Sequence, residues 1–446
     1  MMKPRIAIHW FRRDLRLHDN HGLYRALTEH GDVLPLFIFD TRILDKLEDR
    51  HDRRVDLIHR RLAEMREELH AHRSTMLLEH GDPQDVFPRL LERYDITAVT
   101  ANHDHEPYAR ERDTAIEQVL KARGIPFHTY KDISIFERAE VLKDDGRPYT
   151  VYTPYMKKWR AQFKPQEHAR EWPSQQHLQR LWHTDPLPMP TLKDMGFETT
   201  DVTMPARSLD LQMLQRYHET RDIPATAGTS RMSVNLRFGM VSVRELVRQT
   251  FSQESIGAEK YLNELIWREF YMQILWHFPD HHRAFKREYD NIAWRHDEAG
   301  FQLWQQGRTG YPLVDAGMRE LNATGSMHNR VRMVAASFLT KHLLIDWRWG
   351  EAYFAQKLLD FELSSNNGSW QWAASTGCDA APYFRIFNPQ LQLERYDAQL
   401  IYVKRWVSEI KTANYVRPMV VHEKARERAI ETFKKGLQAP ETHSHT

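Results

Sequence analysis

The stretch DFELSSNNGSWQWAASTGCDAAPYFRIFNP, residues 360–389, decides how the rest of the chain is read. It opens on the carboxylates Asp360 and Glu362, runs through Asn366-Asn367-Gly368 to Trp370 and Trp372, and closes on Arg385 among aromatic residues. Asn beside Gly predicts a polar turn at the surface. That turn leads straight into two indoles, so hydrogen-bonding groups and large π-systems meet within a few residues, as they do around a bound planar heterocycle. A loop capped by two packing tryptophans accounts for the same residues, because Trp is largely buried wherever it occurs.

Helical periodicity surrounds this stretch. Ser242 with Glu245 forms a capping box ahead of Leu246 and Val247. Amphipathic runs at 259–278, 311–322, 328–344 and 351–359 predict an all-helical domain over 208–446. Nine of the thirteen tryptophans fall within 267–406, which favours an aromatic-lined pocket. Upstream, the period is lost and prolines cluster at Pro165, Pro173, Pro186, Pro188, Pro190 and Pro205, predicting a surface linker over 136–207. In 1–135, nearly continuous apolar runs at 6–11, 33–39, 75–78, 96–101 and 125–129 alternate with polar-faced segments, two of them (52–71 and 108–123) with apolar residues at helical spacing, which predicts βαβ units and a doubly wound parallel sheet. No G-x-G-x-x-G or P-loop follows any of these runs, so no dinucleotide or nucleoside triphosphate is assigned to that domain.

Composition sets outer bounds. A chain of 446 residues with 41% hydrophobic content is too long for one ordinary core. The lone cysteine, Cys378, excludes an internal disulfide and fits a reducing compartment. No apolar run approaches the ~20 residues of a membrane span, and the N-terminal apolar run is too short for a signal core. A cytoplasmic protein is therefore expected. The net charge of +2 says nothing of nucleic acid, because a polyanion needs only a local basic face. No metal site is assigned.

Three groups of residues carry chemistry. Gly228-Thr229-Ser230-Arg231-Met232-Ser233 combines small residues, hydroxyls and a guanidinium, suited to a pyrophosphate, although such clusters are more often helix caps. Glu264, Trp267 and Arg268 stand at i, i+3 and i+4, hence on one helical face, and Asn329, Arg332 and Met333 repeat the spacing. A carboxyl, an indole and an amide converging on one cavity could read an extruded base by its edge and its π-face, as base-extruding enzymes do.

The string NNGSWQWAASTGCDAAPYFRIFNP resembles the signature of the DNA photolyase and cryptochrome family, in its bacterial-type cyclobutane-dimer branch. WFRRDLRLHDN at 10–20, NIAWRH at 291–296 and HNRVRMVAASFLTKHLLIDWR at 328–348 are similar to other family strings, and the resemblance runs from residue 4 to about 430. It implies light-dependent repair of cyclobutane pyrimidine dimers in DNA, in which excited reduced FAD donates an electron to a flipped-out dimer, the two cyclobutane bonds break and the electron returns. It also implies the residues. Tyr217, Thr229, Ser230, Arg231, Met232 and Ser233 would hold the FAD phosphates. Arg268, Arg332, Asp360, Phe361, Glu362 and Asn366 would surround the remainder of the cofactor, with Asp360 neutralising Arg332, Glu362 accepting from the ring edge and Asn366 facing flavin N5. Relatives often carry Asp where Glu362 stands. Asn at 366 leans towards repair, since plant cryptochromes carry an acid there.

Trp370, Trp347 and Trp294 fall on the family's electron-transfer chain. Glu264 and Asn329 would bind the damaged bases, Trp267 and Trp372 would stack on them, and Met333 would line the pocket. Arg221, Arg330 and Arg385 would contact DNA. Six-four photolyases match histidines to the positions of Asn329 and Met333, which points to cyclobutane dimers as the lesion. The family docks a light-harvesting chromophore in its first domain. Tyr108 and Ala109 stand where folate binders carry Asn-Glu, and Glu106-Pro107-Tyr108 is closer to deazaflavin binders, so a second chromophore has no assigned identity. UV-damaged DNA is the implied partner, with no membrane, no obligate protein partner and a monomeric state. A photoreceptor that binds FAD but signals, and a DNA binder without repair activity, remain rival readings.

Overall fold

The computed structural model describes residues 3–438. Five strands form one sheet: β1 (Arg5–Phe11), β2 (Val33–Asp40), β3 (Leu77–Gly81), β4 (Asp95–Asn102) and β5 (Phe127–Tyr130). Their order is β3-β2-β1-β4-β5 and every pairing is parallel. β1 and β2 are buried on both faces, hence their unbroken apolar sequence. Every strand departs from its expected run by at least one residue, and β3 and β5 depart most. β3 extends into Glu79, His80 and Gly81, because an edge strand tolerates polar residues on its open side. β5 starts at Phe127 because Ile125 still closes the preceding helix, its N–H reaching Leu120 O at 3.0 Å.

The chain divides into two compact units that are not consecutive in sequence. The sheet unit takes the chain through Val141 together with Trp159–Asp210 and Arg231–Gln253; the helical unit takes Leu142–Lys158, Leu211–Ser230 and everything from Glu254. The proline-rich segment read as a linker is thus shared between them. Backbone and side-chain bonds tie part of it to the sheet unit: Trp182 N–H donates to Val33 O at 3.0 Å, Ser74 Oγ to Trp182 O at 2.8 Å, and Arg60 to Thr200 O and Val202 O, both at 2.9 Å.

The interior of the sheet unit contains a charge cluster. Arg16 reaches both oxygens of Asp132 at 2.8 and 2.7 Å, and Arg244 bonds Asp132 at 2.8 Å and Asp19 at 3.0 Å. Arg248 and Ser242 Oγ complete Asp19 at 3.0 and 2.8 Å. Burial opposes ionisation of Asp132, but the Arg16 and Arg244 guanidiniums outweigh it and hold the carboxyl well below its ordinary range.

In the helical unit, Ile256–His277, Pro312–Thr324, Asn329–Ser337, Trp347–Lys357 and Leu363–Ala374 are the helices that matter for the site. The periodic run at 328–344 is two elements, because Asn329–Ser337 passes into a wider π-helical turn at Phe338–His342. The polar turn expected at Asn366-Asn367-Gly368 is not formed. These residues lie inside the helix Leu363–Ala374, and both asparagines are buried. Asparagine favours turns when its side chain bonds its own backbone. Here Asn366 donates to Glu351 and Asn367 to His281 O at 2.9 Å, while a Cβ on Gly368 would stand 2.2 Å from the Tyr271 ring. Tertiary partners therefore override local preference. No helix among the described residues is long and apolar enough to cross a membrane.

Candidate active site

Glu362 starts the site by capping the helix that carries it. Its carboxylate accepts from Ser365 N at 3.0 Å and from the hydroxyls of Ser364 and Ser365 at 2.6 and 2.8 Å. A negative charge at a helix N-terminus is favourable in its own right. Just before it, Asp360 Oδ2 accepts from Arg332 at 2.9 Å, and Arg332 Nε donates to Met327 O at 2.7 Å, so the guanidinium is fixed by two partners. The other oxygen, Asp360 Oδ1, is buried with no hydrogen-bond partner.

One turn into the helix, Asn366 Nδ2 donates to the backbone O of Glu351 at 3.1 Å and to its Oε1 at 2.8 Å. Orientation of the amide follows from those bonds. Its oxygen is thereby turned away from Glu351. Burial pushes the Glu351 carboxyl up from 4.5, and the Asn366 hydrogen bond draws it partly back. Nothing in the sequence pairs Glu351 with Asn366, since contact between helices leaves no spacing signal. Behind them the helix buries Trp370, 2% exposed, whose ring packs edge-on to Phe354 at 4.9 Å and Trp304 at 6.1 Å. Trp347 belongs to the same apolar cluster, with its Nε1 buried and unpartnered, and half-buried Trp294 packs against that cluster. Trp294 also meets Phe433 edge-to-face at 5.6 Å.

A second group gathers on the helix Ile256–His277. Arg221 donates to Glu264 at 2.5 Å. Burial pushes the Glu264 carboxyl up from 4.5 while Arg221 pulls it down, and Arg221 itself is held more firmly protonated than a free guanidinium. Side-chain exposures of 24% and 32% leave the pair in contact with solvent, so we read it as ionic at neutral pH. Trp267, half-buried, stacks on Tyr152 at 3.6 Å between ring centroids. Arg330 pairs with Asp222 at 2.8 Å and lies over the Tyr396 ring, while Asn329 is exposed and Nδ2 approaches Met333 Sδ at 3.9 Å. Trp372 is half-buried beside Phe387 at 6.4 Å, and Arg385 is exposed. Phe361 packs against the tryptophan cluster.

Tyr217, buried, meets Tyr261 edge-on at 5.4 Å, and Ser230 hydrogen-bonds Tyr261. Thr229 and Ser230 lie in the helical unit, whereas Arg231, Met232 and Ser233 lie in the sheet unit. Arg231 has φ of 53°, and Met232 caps the short helix Ser233–Phe238. The structure gathers Asp360, Glu362, Asn366 and Trp370 on or beside one helix, and Arg332 joins them through its pair with Asp360. Arg268 lies on the Glu264 helix, half-buried. Tyr152 and Asp222 are neighbours of this site that spacing alone did not reveal.

A doubly wound parallel sheet joined in one chain to a tryptophan-rich helical unit defines the photolyase and cryptochrome class of folds. A bacterial class III photolyase from Agrobacterium tumefaciens superposes with a TM-score of 0.88 at 32% identity, covering 98% of this chain and 99% of that one. An archaeal photolyase from Sulfolobus tokodaii with two FAD molecules gives 0.78 at 31% identity, covering 96% and 100%. Residues 7–175 match the family model for DNA photolyase, and 261–414 match the FAD binding domain of DNA photolyase. A deoxyribodipyrimidine photo-lyase of Synechococcus sp. is 38% identical over 427 residues, 90% of this chain and 87% of the relative. The chain belongs to the DNA photolyase family. Its residues fit FAD: a fixed guanidinium, the buried unpartnered Asp360 Oδ1 and a neutral amide whose nitrogen is held by Glu351 form a donor and acceptor set for a polar ring edge.

Proposed function

We propose that the chain repairs cyclobutane pyrimidine dimers in DNA with light and FAD, as a deoxyribodipyrimidine photo-lyase. The observation that carries this reading is the neutral amide of Asn366, its nitrogen held by Glu351 beside the Arg332–Asp360 pair's loop and the Trp370 helix, which leaves the oxygen to meet the cofactor in this scheme. Bound FAD supplies the light-excited electron that splits the dimer. The protein binds and orients around it. Tyr217, Thr229, Ser230, Arg231, Met232 and Ser233 hold the phosphates; Arg332 with Asp360, and Arg268, Phe361 and Glu362, hold the remainder. Glu362 also caps the helix that carries Asn366.

Glu264 and Asn329 read the base edges, Trp267 and Trp372 stack on the extruded dimer, and Met333 fills the apolar side. Arg221, Arg330 and Arg385 meet the phosphates. Trp370, Trp347 and Trp294 carry electrons inward when the cofactor must be reduced. The sheet unit is the place for a second, light-harvesting chromophore. A cytoplasmic monomer without an obligate protein partner completes the proposal.

His328 supports cyclobutane dimers as the lesion. It caps the helix Asn329–Ser337, Nδ1 accepting from Arg330 N at 3.1 Å, and burial takes its pKa to about 4. The cap ties the imidazole to the helix end one position before Asn329, about 100° round the helix, so it does not take the place of the histidines that six-four photolyases match to Asn329 and Met333. The test illuminates the reduced protein with matched oligonucleotides bearing each lesion and counts restored pyrimidines. Cyclobutane dimers are expected to revert and six-four photoproducts to persist. Bound, reduced FAD without any reversion would leave a sensor or an inactive binder; efficient six-four repair would overturn the lesion assignment alone.

A further inference from the structure

Tyr152 is held on more sides than a packing residue needs. Its hydroxyl donates to Asn263 O at 2.9 Å, one helical turn before Trp267, and its backbone N–H donates to Asp379 at 3.0 Å. Gln273 Nε2 ties the same segment to the far end of that helix through Tyr149 O at 2.8 Å. The phenol ring lies parallel to the Trp267 indole, with 6° between planes and 3.6 Å between centroids. Phe270, fully buried, supports both rings edge-on, at 5.8 Å from Tyr152 and 5.5 Å from Trp267. Tyr152 is 8% exposed, whereas Trp267 keeps part of its surface open. One face of the indole is therefore covered by a ring anchored at both ends, and the open part is what a ligand can meet.

We propose that Tyr152 is a positioning residue for lesion recognition, the fixed back plate that holds Trp267 flat so that an extruded pyrimidine completes a three-ring stack. The inference rests on the reading that Trp267 stacks on the dimer. An indole free to rotate must be immobilised when the base arrives, and that ordering cost is subtracted from affinity; a preorganised indole avoids it. Tyr152 touches neither base nor cofactor in this scheme. Its loss is felt in binding of the dimer and in discrimination against undamaged DNA, and the light-driven step on bound dimer is untouched.

The test measures affinity for a dimer-containing oligonucleotide, and repair per bound dimer under light, for Tyr152→Leu, Tyr152→Phe and Trp267→Ala, each checked for FAD content. Tyr152→Leu is expected to weaken dimer binding about tenfold, within the range of one base–aromatic stack, with repair per bound dimer unchanged. Tyr152→Phe keeps the plate and loses one anchor, so it restores most of that affinity. Unchanged affinity in Tyr152→Leu, with Trp267→Ala weakened, overturns the role of Tyr152 and leaves that of Trp267. Unchanged affinity in Trp267→Ala overturns the stacking reading on which the inference rests. Should Tyr152→Leu lose FAD, Tyr152→His provides a smaller ring face: affinity falling from Tyr through Phe to His supports the plate, and equal affinity in all FAD-loaded variants overturns it.

Discussion

Both units bury polar groups, but they satisfy them in opposite ways. In the sheet unit, Arg16, Arg244, Asp19 and Asp132 have side chains no more than 4% exposed, and each charge meets its opposite at hydrogen-bonding distance. In the helical unit the buried groups around Trp370 are mostly neutral amides, Asn366, Asn367 and Gln371, in a setting of indoles, and Asp360 Oδ1 is left over. In that network every carboxylate is met by a guanidinium, and only Arg16 Nε is without a partner. The amides fix direction through hydrogen bonds, and the Asp360 carboxylate beside them leaves one acceptor unspent, which is what a polar heterocycle requires. Buried polarity in the first unit thus serves the fold, and in the second it serves the site.

The comparison breaks most readily at Asp132. Asp132→Ala strands Arg16 in the interior and leaves Arg244 with Asp19 alone, and removing one partner of a buried pair costs about 3–5 kcal/mol; urea unfolding followed by far-UV dichroism should show it. Asn366→Ala removes hydrogen bonds to the backbone and carboxyl of Glu351 but no opposite charge, so a smaller loss, about 1.5–3 kcal/mol, is expected. Equal losses would erase the distinction. Acid sharpens it further. Asp132 and Asp19 have folded pKa values below the ordinary 3.8, so their contribution is complete above 3.8 and is lost as pH falls below it. Glu264 and Glu351 have folded values above 4.5, so their ionisation weakens the fold as pH rises through those values, and mild acid spares the helical unit. Signals from the sheet unit should be lost first on titration below pH 3.8.

Trp370→Phe tests function in the amide-and-indole unit. Phenylalanine fills most of the indole's space but is far harder to oxidise, so photoreduction of bound FAD should fail in transient absorption while chemically reduced protein still repairs. Gly350→Ala comes next. Its Cβ would stand 2.2 Å from Trp370 Cη2 and 2.6 Å from Leu339 Cδ2, an overpacking worth about 1–3 kcal/mol. Gly124→Ala is the informative contrast, because nothing lies within 4 Å of its Cβ and only its φ of 71° opposes the change. The smallest effect is expected at the exposed Arg385. Arg385→Ala should lower affinity about equally for damaged and undamaged DNA and reduce the salt slope of binding by about one.

Much of this is legible in the sequence. Continuous apolar runs named the parallel strands, because a strand covered on both faces has to be apolar along its whole length. The strings around Asn366, Asn329 and Trp294 announced the family, since chemistry restricts which residues can stand there. Local rules failed at Asn366-Asn367-Gly368, which reads as a turn and is a helix. The proline-rich segment 136–207, read as a linker, is shared between the two units.

What the sequence by itself determined is therefore the alternation of strands and helices, the identity of the reactive side chains and their faces on single helices, all of which depend on periods of a few residues. Only the tertiary structure decided that Glu351 aims Asn366, that Asp222 pairs with Arg330 and that Tyr152 backs Trp267. Those partners are separated along the chain by 15, 108 and more residues. No periodicity reaches that far, because contact between elements is set by how whole faces pack, and the energy that selects it belongs to the folded core and to no short segment.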